Sequence, residues 1–167
     1  NNSMMKFISN LIKLKEYPAT QAVELVNASP NAKKQFIKLI EEGTCHVYAK
    51  AIFNKTVGVI FLFTNLDDKD LADGENTCYI ANLFVHPKFR GKGIGTEILE
   101  YIFQVAREKG FKQMTLGVDE EIEKNVRLYK KLGFTKEVKK SSIDASVKDK
   151  NGNHLTIKEH LVLAKDL

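Results

Sequence analysis

"LFVHPKFRGKGIGTEILEYI", residues 83–102, is the stretch on which the fold turns. It passes from an apolar patch through a basic loop with glycine at every second position, Gly91, Gly93 and Gly95, and into a helical pattern. A strand that ends in a glycine turn and runs straight into a helix exposes the first helical N–H groups, which have no acceptor inside the helix. Glycine lets successive amides line one concavity with no Cβ atoms in the way. The helix dipole adds about 0.3–1 kcal/mol per favourably placed charge, and each charge-assisted hydrogen bond about 1.5–3 kcal/mol. Such a turn suits a phosphate. A tight glycine turn needs no ligand, however, so the loop alone leaves both readings open.

Outward from the loop, an apolar strand, "CYIANLFV", precedes it. The helix after it buries Ile94, Ile98, Ile102 and Val105 at near-helical spacing, with Leu99 and Ala106 beside them, and stops at Gly110. "QMTLGV" reads as a strand. A helix over about 120–132 follows, with Ile122, Val126 and Tyr129 three or four apart. Phe134 opens a strand after the Gly133 stop. The tail reads as a hairpin with a type I′ turn at Asn151-Gly152, and Leu155, Ile157, Leu161 and Leu163 share one face of the returning strand.

Upstream, "LIKLKEY" (residues 11–17) reads as the first strand, and Pro18-Ala19-Thr20 opens a helix. Residues 27–31 break it. Pro30 then starts a second helix that buries Phe36, Ile37 and Ile40 and stops at Gly43. "CHVYAKAIF" and "TVGVIFLF" read as a hairpin turning at Asn54-Lys55. Residues 65–77 form an acidic loop with Asp67, Asp68, Asp70, Asp73 and Glu75, better read as a solvated connection than as a site for a cation. The order is strand, two helices, three strands, helix, strand, helix, two strands. Only the strand–helix–strand unit around the glycine loop requires a parallel pair. The expected fold is α/β (α+β): a mixed, mostly antiparallel sheet of about seven strands.

The 167 residues, 43% hydrophobic, suffice for one domain that buries roughly 70% of its unfolded surface. Residues ahead of Met4 read as an added remnant. No apolar run approaches the ~20 residues of a membrane span, and the polar interruptions at Lys6, Asn10, Lys13 and Lys15 argue against a secretory leader. Two isolated cysteines, Cys45 and Cys78, suit a reducing cytoplasm. Four histidines without a ligand spacing give metal no support. The net charge of +5 favours anionic partners. The basic clusters lack interleaved stacking aromatics, so nucleic acid is not expected, and a small phosphorylated ligand fits the charge better.

Two familiar phosphate loops fail against this one. A Walker loop needs Ser or Thr after Gly-Lys, but Gly93 follows Gly91-Lys92, and the dinucleotide fingerprint needs GxGxxG. Arg90-Gly91-Lys92-Gly93-Ile94-Gly95 does match [Gln/Arg]-x-x-Gly-x-[Gly/Ala], and "NVRLYKKLGF", residues 125–134, supplies a second motif, "LYxKLGF". With both motifs, residues 79–136 resemble the acyl-CoA-binding region of the GNAT superfamily of N-acetyltransferases.

That resemblance implies acetyl transfer from acetyl-CoA to an amine, small-molecule or peptide, on a sheet whose parallel pair splays and whose faces both carry helices. It implies that the backbone of Leu83, Phe84 and Val85 holds the pantetheine arm and one N–H polarises the thioester carbonyl. The amides of Gly91, Lys92, Gly93, Ile94, Gly95 and Thr96 would hold the diphosphate, Arg90 and Lys92 would add positive field, and Asn125 would contact the cofactor. It implies Tyr129 as the acid that protonates the leaving sulfur; a packing aromatic is the alternative.

The chain departs from the family where many relatives carry a carboxylate. Here Ala81-Asn82 stand in its place, and Ile122 replaces an asparagine seven residues before the tyrosine. The base therefore stays unassigned among a water relay, a backbone carbonyl, Glu75 and none at all for an amine that arrives neutral. A non-catalytic acyl-CoA-binding module is the alternative, and a nucleic-acid binder, resting only on a pI near 9.1, ranks third. The acceptor and the oligomeric state, a homodimer included, stay open.

Overall fold

The computed structural model describes residues 2–167. Its elements are α1 (Asn2–Leu11), β1 (Lys15–Tyr17), α2 (Ala19–Ala22), α3 (Pro30–Glu41), β2 (Cys45–Ile52), β3 (Lys55–Phe63), β4 (Thr77–Val85), α4 (Ile94–Glu108), β5 (Gln113–Val118), α5 (Glu123–Lys131), β6 (Lys136–Lys148) and β7 (His154–Asp166). The strands form one seven-stranded sheet in the order β1-β2-β3-β4-β5-β7-β6. β4 and β5 run parallel, from Thr77 opposite Gln113 to Tyr79 opposite Thr115. The β1–β2, β5–β7 and β6–β7 pairs are antiparallel. This is the mixed α/β sheet expected from the sequence.

Packing divides the chain into two compact units. One holds residues up to Leu62 with Ala81–Val105; the other holds Phe63–Ile80 with Ala106–Leu167. In the first, Ser29 caps α3 by accepting from the Ala32 amide at 3.1 Å, with Pro30 in the first turn. Phe36 of α3 meets Phe61 of β3 edge-on at 4.9 Å, a contact worth about 0.5–1.5 kcal/mol beyond the area it buries. Ile94, Ile98, Leu99, Ile102 and Ala106 of α4 are buried, as their spacing predicts, while Val105 is only half-buried. The approach of α4 to β3 is close: a Cβ on Gly58 would lie 2.6 Å from Ile98 Cδ1. In the second unit Phe63, Met114, Phe134, Val162 and Leu163 form the core. The Thr115 hydroxyl donates to the carbonyls of Leu71 at 2.7 Å and Cys78 at 3.2 Å.

Several local expectations are corrected. Of the segment read as a first strand over residues 11–17, Leu11 ends a helix, residues 12–14 are irregular, and β1 keeps only the last three. The apolar residues of α1 lie three and four apart, a period the strand reading cut short. The first hairpin turns at Phe53-Asn54 rather than Asn54-Lys55. Phe53 takes a left-handed φ of 55° and is 95% exposed. Phe134 starts no strand; it is buried two residues ahead of β6. The last hairpin has its left-handed residue at Gly152 and not at Asn151, and the Gly152 amide donates to Asp149 O at 3.1 Å. That pattern is a type I turn followed by a glycine bulge rather than type I′. The apolar face expected on β7 is buried at Leu161 and Leu163, where β5 pairs with it, but Leu155 and Ile157 are exposed beyond that pairing.

Candidate active site

The glycine loop of the first unit is built by its own side chains. Arg90 Nε donates to Val85 O at 2.9 Å, and its guanidinium lies 5.8 Å from the Phe84 ring centre. Lys92 Nζ donates to the carbonyls of Lys88 and Arg90, both at 3.2 Å. The His86 amide donates to Val57 O at 2.8 Å, tying the end of β4 to the start of β3. Arg90 and Lys92, expected as sources of positive field, brace the loop through these hydrogen bonds.

Gly91 and Gly93 have left-handed φ of 75° and 81°, and a Cβ on either would meet open space. Gly95 is an ordinary helical residue whose added Cβ would lie 3.8 Å from Val85 Cγ2. The first bond of α4 runs from the Glu97 amide to Gly93 O at 3.0 Å. The amides of Ile94, Gly95 and Thr96 therefore precede the helical ladder, where an anion is favoured. The fit to a diphosphate is chemical and steric: donors, a helix N-terminus and empty room where side chains would stand.

Leu83, Phe84 and Val85 follow a left-handed residue within β4. Asn82 has φ 58° inside the strand, the mark of a bulge, which asparagine tolerates better than most residues. Burial shows the consequence. Cys78 and Ile80 are buried, whereas beyond Asn82 the more covered positions are Leu83 and Val85, with Phe84 exposed. The bulge thus shifts the alternation by one residue along this stretch.

In the second unit, α5 carries Tyr129. The helix closes with a Schellman turn: the Gly133 amide donates to Lys130 O at 3.1 Å and the Phe134 amide to Tyr129 O at 3.0 Å. Gly133 supplies the left-handed φ of 104°, and the Phe134 ring meets the Tyr129 ring edge-on at 6.0 Å, the hydrophobic contact that accompanies this cap. The Lys165 ammonium donates to Leu132 O at 2.9 Å at the same helix end. The "LYKKLGF" run therefore has a local physical purpose, which is to fix Tyr129. Burial holds its phenol above the usual range, so it is protonated at neutral pH.

The helix itself departs from expectation. It begins at Glu123 and buries no residue; Ile122 lies before it and is exposed, and Val126 and Tyr129 are only half-covered. Asn125 is exposed in its first turn.

The acidic loop is a braced connection. Lys139 Nζ lies 2.5 Å from Asp68 and 3.1 Å from Asp70, and Asp67 pairs with Lys148 at 2.7 Å and His154 at 3.1 Å. Asp73 Oδ1 accepts from the amides of Glu75, Asn76 and Thr77. Glu75, one of the base candidates, is an exposed member of that turn. Both cysteines are buried, and burial pushes the Cys45 thiol up and the Cys78 thiol up to about 12.

The profile described as "Acetyltransferase (GNAT) family" matches residues 12–134. The chain belongs to the GNAT acetyltransferases. Among this GNAT chain's curated relatives, thialysine N-epsilon-acetyltransferase of Mus musculus is 44% identical over 55 residues, 33% of this chain and 32% of that protein. L-methionine sulfoximine/L-methionine sulfone acetyltransferase of Salmonella typhimurium is 31% identical over 78 residues, 47% of this chain and 46% of that protein. The chain thus spans a third to a half of the length of these relatives. A solved GNAT family acetyltransferase from Elizabethkingia anophelis with acetyl-CoA bound superposes with a TM-score of 0.62 at 20% identity, over 93% of this chain and 98% of that one. At that identity the likeness establishes the GNAT fold.

Proposed function

We propose that this GNAT protein transfers the acetyl group of acetyl-CoA to a primary amine by direct attack, with both substrates bound together. The observation that carries the reading is the open, left-handed Gly91–Gly93 turn feeding the unladdered amides of α4. The co-substrate supplies the activated thioester. In this reading Gly91, Gly93 and the amides of Ile94, Gly95 and Thr96 grip its diphosphate, braced by Arg90 and Lys92. The backbone of Leu83, Phe84 and Val85 holds the pantetheine arm, and one of its N–H groups polarises the thioester carbonyl; such a donor is worth about 2.7–4 kcal/mol. Asn125 contacts the cofactor from the first turn of α5.

Tyr129 gives its proton to the sulfur as the carbon–sulfur bond breaks, and the attacking nitrogen loses its own proton to a base. Two facts support direct transfer. The Tyr129 phenol keeps its proton at neutral pH, and the thiols that could carry the acyl group are buried and protonated. The two curated relatives are named for acetylating amino-acid-like amines, so the acceptor class we favour is a free amino acid or a close analogue. The test is a thiol-release assay over a panel of amino acids, polyamines and peptides, with product mass as the check. Turnover with at least one free amino acid amine is expected.

A second reading, a non-catalytic acyl-CoA-binding module, is favoured by Ala81-Asn82. Asn82 has a backbone task there and offers no carboxylate. CoA-dependent stabilisation without thiol release from any amine would select it.

A further inference from the structure

A buried ammonium joins three elements of the first unit. Lys50 of β2 is 3% exposed. Its Nζ donates to Ser9 O at 3.0 Å and Ser9 Oγ at 3.3 Å, in the last turn of α1. It also lies 2.5 Å from Glu97 Oε1, in the first turn of α4. α1 packs in addition on the 3-10 turn Pro87–Phe89, which leads directly into the glycine loop. A single helix therefore touches the loop's entrance and holds the lysine that meets the loop's exit.

An ammonium is costly to bury unless it is paired and hydrogen-bonded. Lys50 has both kinds of partner, and its carboxylate partner is only partly covered, at 45% exposure. Glu97 could reach water without help, so the pair is not needed to shelter the acid. The setting of Glu97 gives the pair a different use. An acidic side chain in a first helical turn favours an empty helix N-terminus, but it opposes a diphosphate that must use the same amides.

We propose that Lys50 is a positioning residue for acetyl-CoA: it holds the Glu97 carboxylate aside and cancels its charge, leaving the α4 amides to the diphosphate, and α1 keeps the lysine in place through Ser9. This rests on reading the glycine loop as the diphosphate cradle.

The test compares Lys50→Met, Glu97→Gln and the double variant, each confirmed as folded by thermal melting. CoA affinity is measured by calorimetry at low salt, and turnover is measured with acetyl-CoA and with acetyl-pantetheine, which lacks the diphosphate. Lys50→Met is expected to weaken CoA binding about five- to tenfold, in line with one charge in a first helical turn acting on a multiply charged ligand. The double variant should return to within about twofold of the parent, and KM for acetyl-pantetheine should hold across the series. A double variant as weak as Lys50→Met, or a parallel rise in KM for acetyl-pantetheine, would show lost packing and overturn the proposal.

Should Lys50→Met fail to fold, the exposed Glu97→Gln decides: with the acid's charge already cancelled in the parent, CoA bound equally or more tightly supports the proposal, and weaker binding, which would make Glu97 itself a contributor to the site, overturns it. Gly93→Val is run alongside. If that variant keeps full CoA affinity, the cradle reading fails and takes this inference with it. If it loses CoA while the charge series shows no rescue, only the role of Lys50 is lost.

Discussion

The Phe134 amide donates to the Tyr129 carbonyl at 3.0 Å while the two rings meet edge-on. One residue thus closes the helix and braces the phenol. If that phenol protonates the departing sulfur, Tyr129→Phe keeps the ring contact and removes only the proton. Turnover should fall about tenfold or more with CoA affinity intact. Burial raises the phenol pKa, so Tyr129 should stay protonated through neutral pH and its ionisation should appear as a loss of rate on the basic side. The variant should lack that limb. A pH profile of kcat for both proteins decides, and an equal loss of CoA affinity would mark Tyr129 as packing.

Gly93 and Gly95 differ by conformation, although the sequence spaces them alike. Gly93→Val puts a branched side chain at φ 81° into the open cradle. CoA binding by calorimetry should be abolished while the far-ultraviolet spectrum stays that of the parent. Gly95→Ala enters helical backbone with ordinary contact to Val85. It should bind CoA within about threefold of the parent and melt no lower, because alanine favours a helix by roughly 1 kcal/mol over glycine.

The left-handed backbone of Asn82 yields a stability prediction. Asn82→Gly should melt within about 2 °C of the parent, since glycine takes φ 58° freely. Asn82→Val should destabilise by about 1–3 kcal/mol, the cost of forcing a β-branched residue into that region. Urea unfolding of the three proteins measures both. Equal loss in the two variants would show that the asparagine side chain matters, not its backbone.

Asp73 makes the second unit acid-sensitive. Its carboxylate accepts from the Thr77, Glu75 and Asn76 amides, which hold its pKa below the ordinary carboxylate value. A depressed native pKa stabilises the fold above the unfolded value of about 3.9. That contribution fades as pH falls through the native value. Asp73→Asn should therefore melt below the parent at pH 7, with the gap closing as the pH drops below about 4. A gap independent of pH would refute the linkage.

The decisive motifs were legible because each is local. Gly91, Gly93 and Gly133 stand where the backbone must be left-handed, and the period of Ile94, Ile98 and Ile102 named the buried face of α4. What escaped was set by partners distant in sequence. Lys50 reads as a stray charge in an apolar strand until Ser9 and Glu97 come to meet it. Asn82 reads as a missing carboxylate, and only its φ reveals a bulge. The half-open face of α5 follows from no local rule, since Ile122, Val126 and Tyr129 keep a good helical period while burying nothing fully. The helix α1 went unread, since residues 2–10 were weighed only against a secretory leader, and the strand reading that began at residue 11 took its last residue.

The sheet ends in two unlike margins. β1 is three residues long. β6 is long, but its ladder slips at three places and Lys136, Lys139, Lys140 and Lys148 are spread along it. Short length, kinks and positive charge are the ways natural proteins keep such borders from recruiting stray chains. Concentrated or crowded, this molecule offers a neighbour one border too short and another too kinked and charged to serve as a straight rail on which to extend.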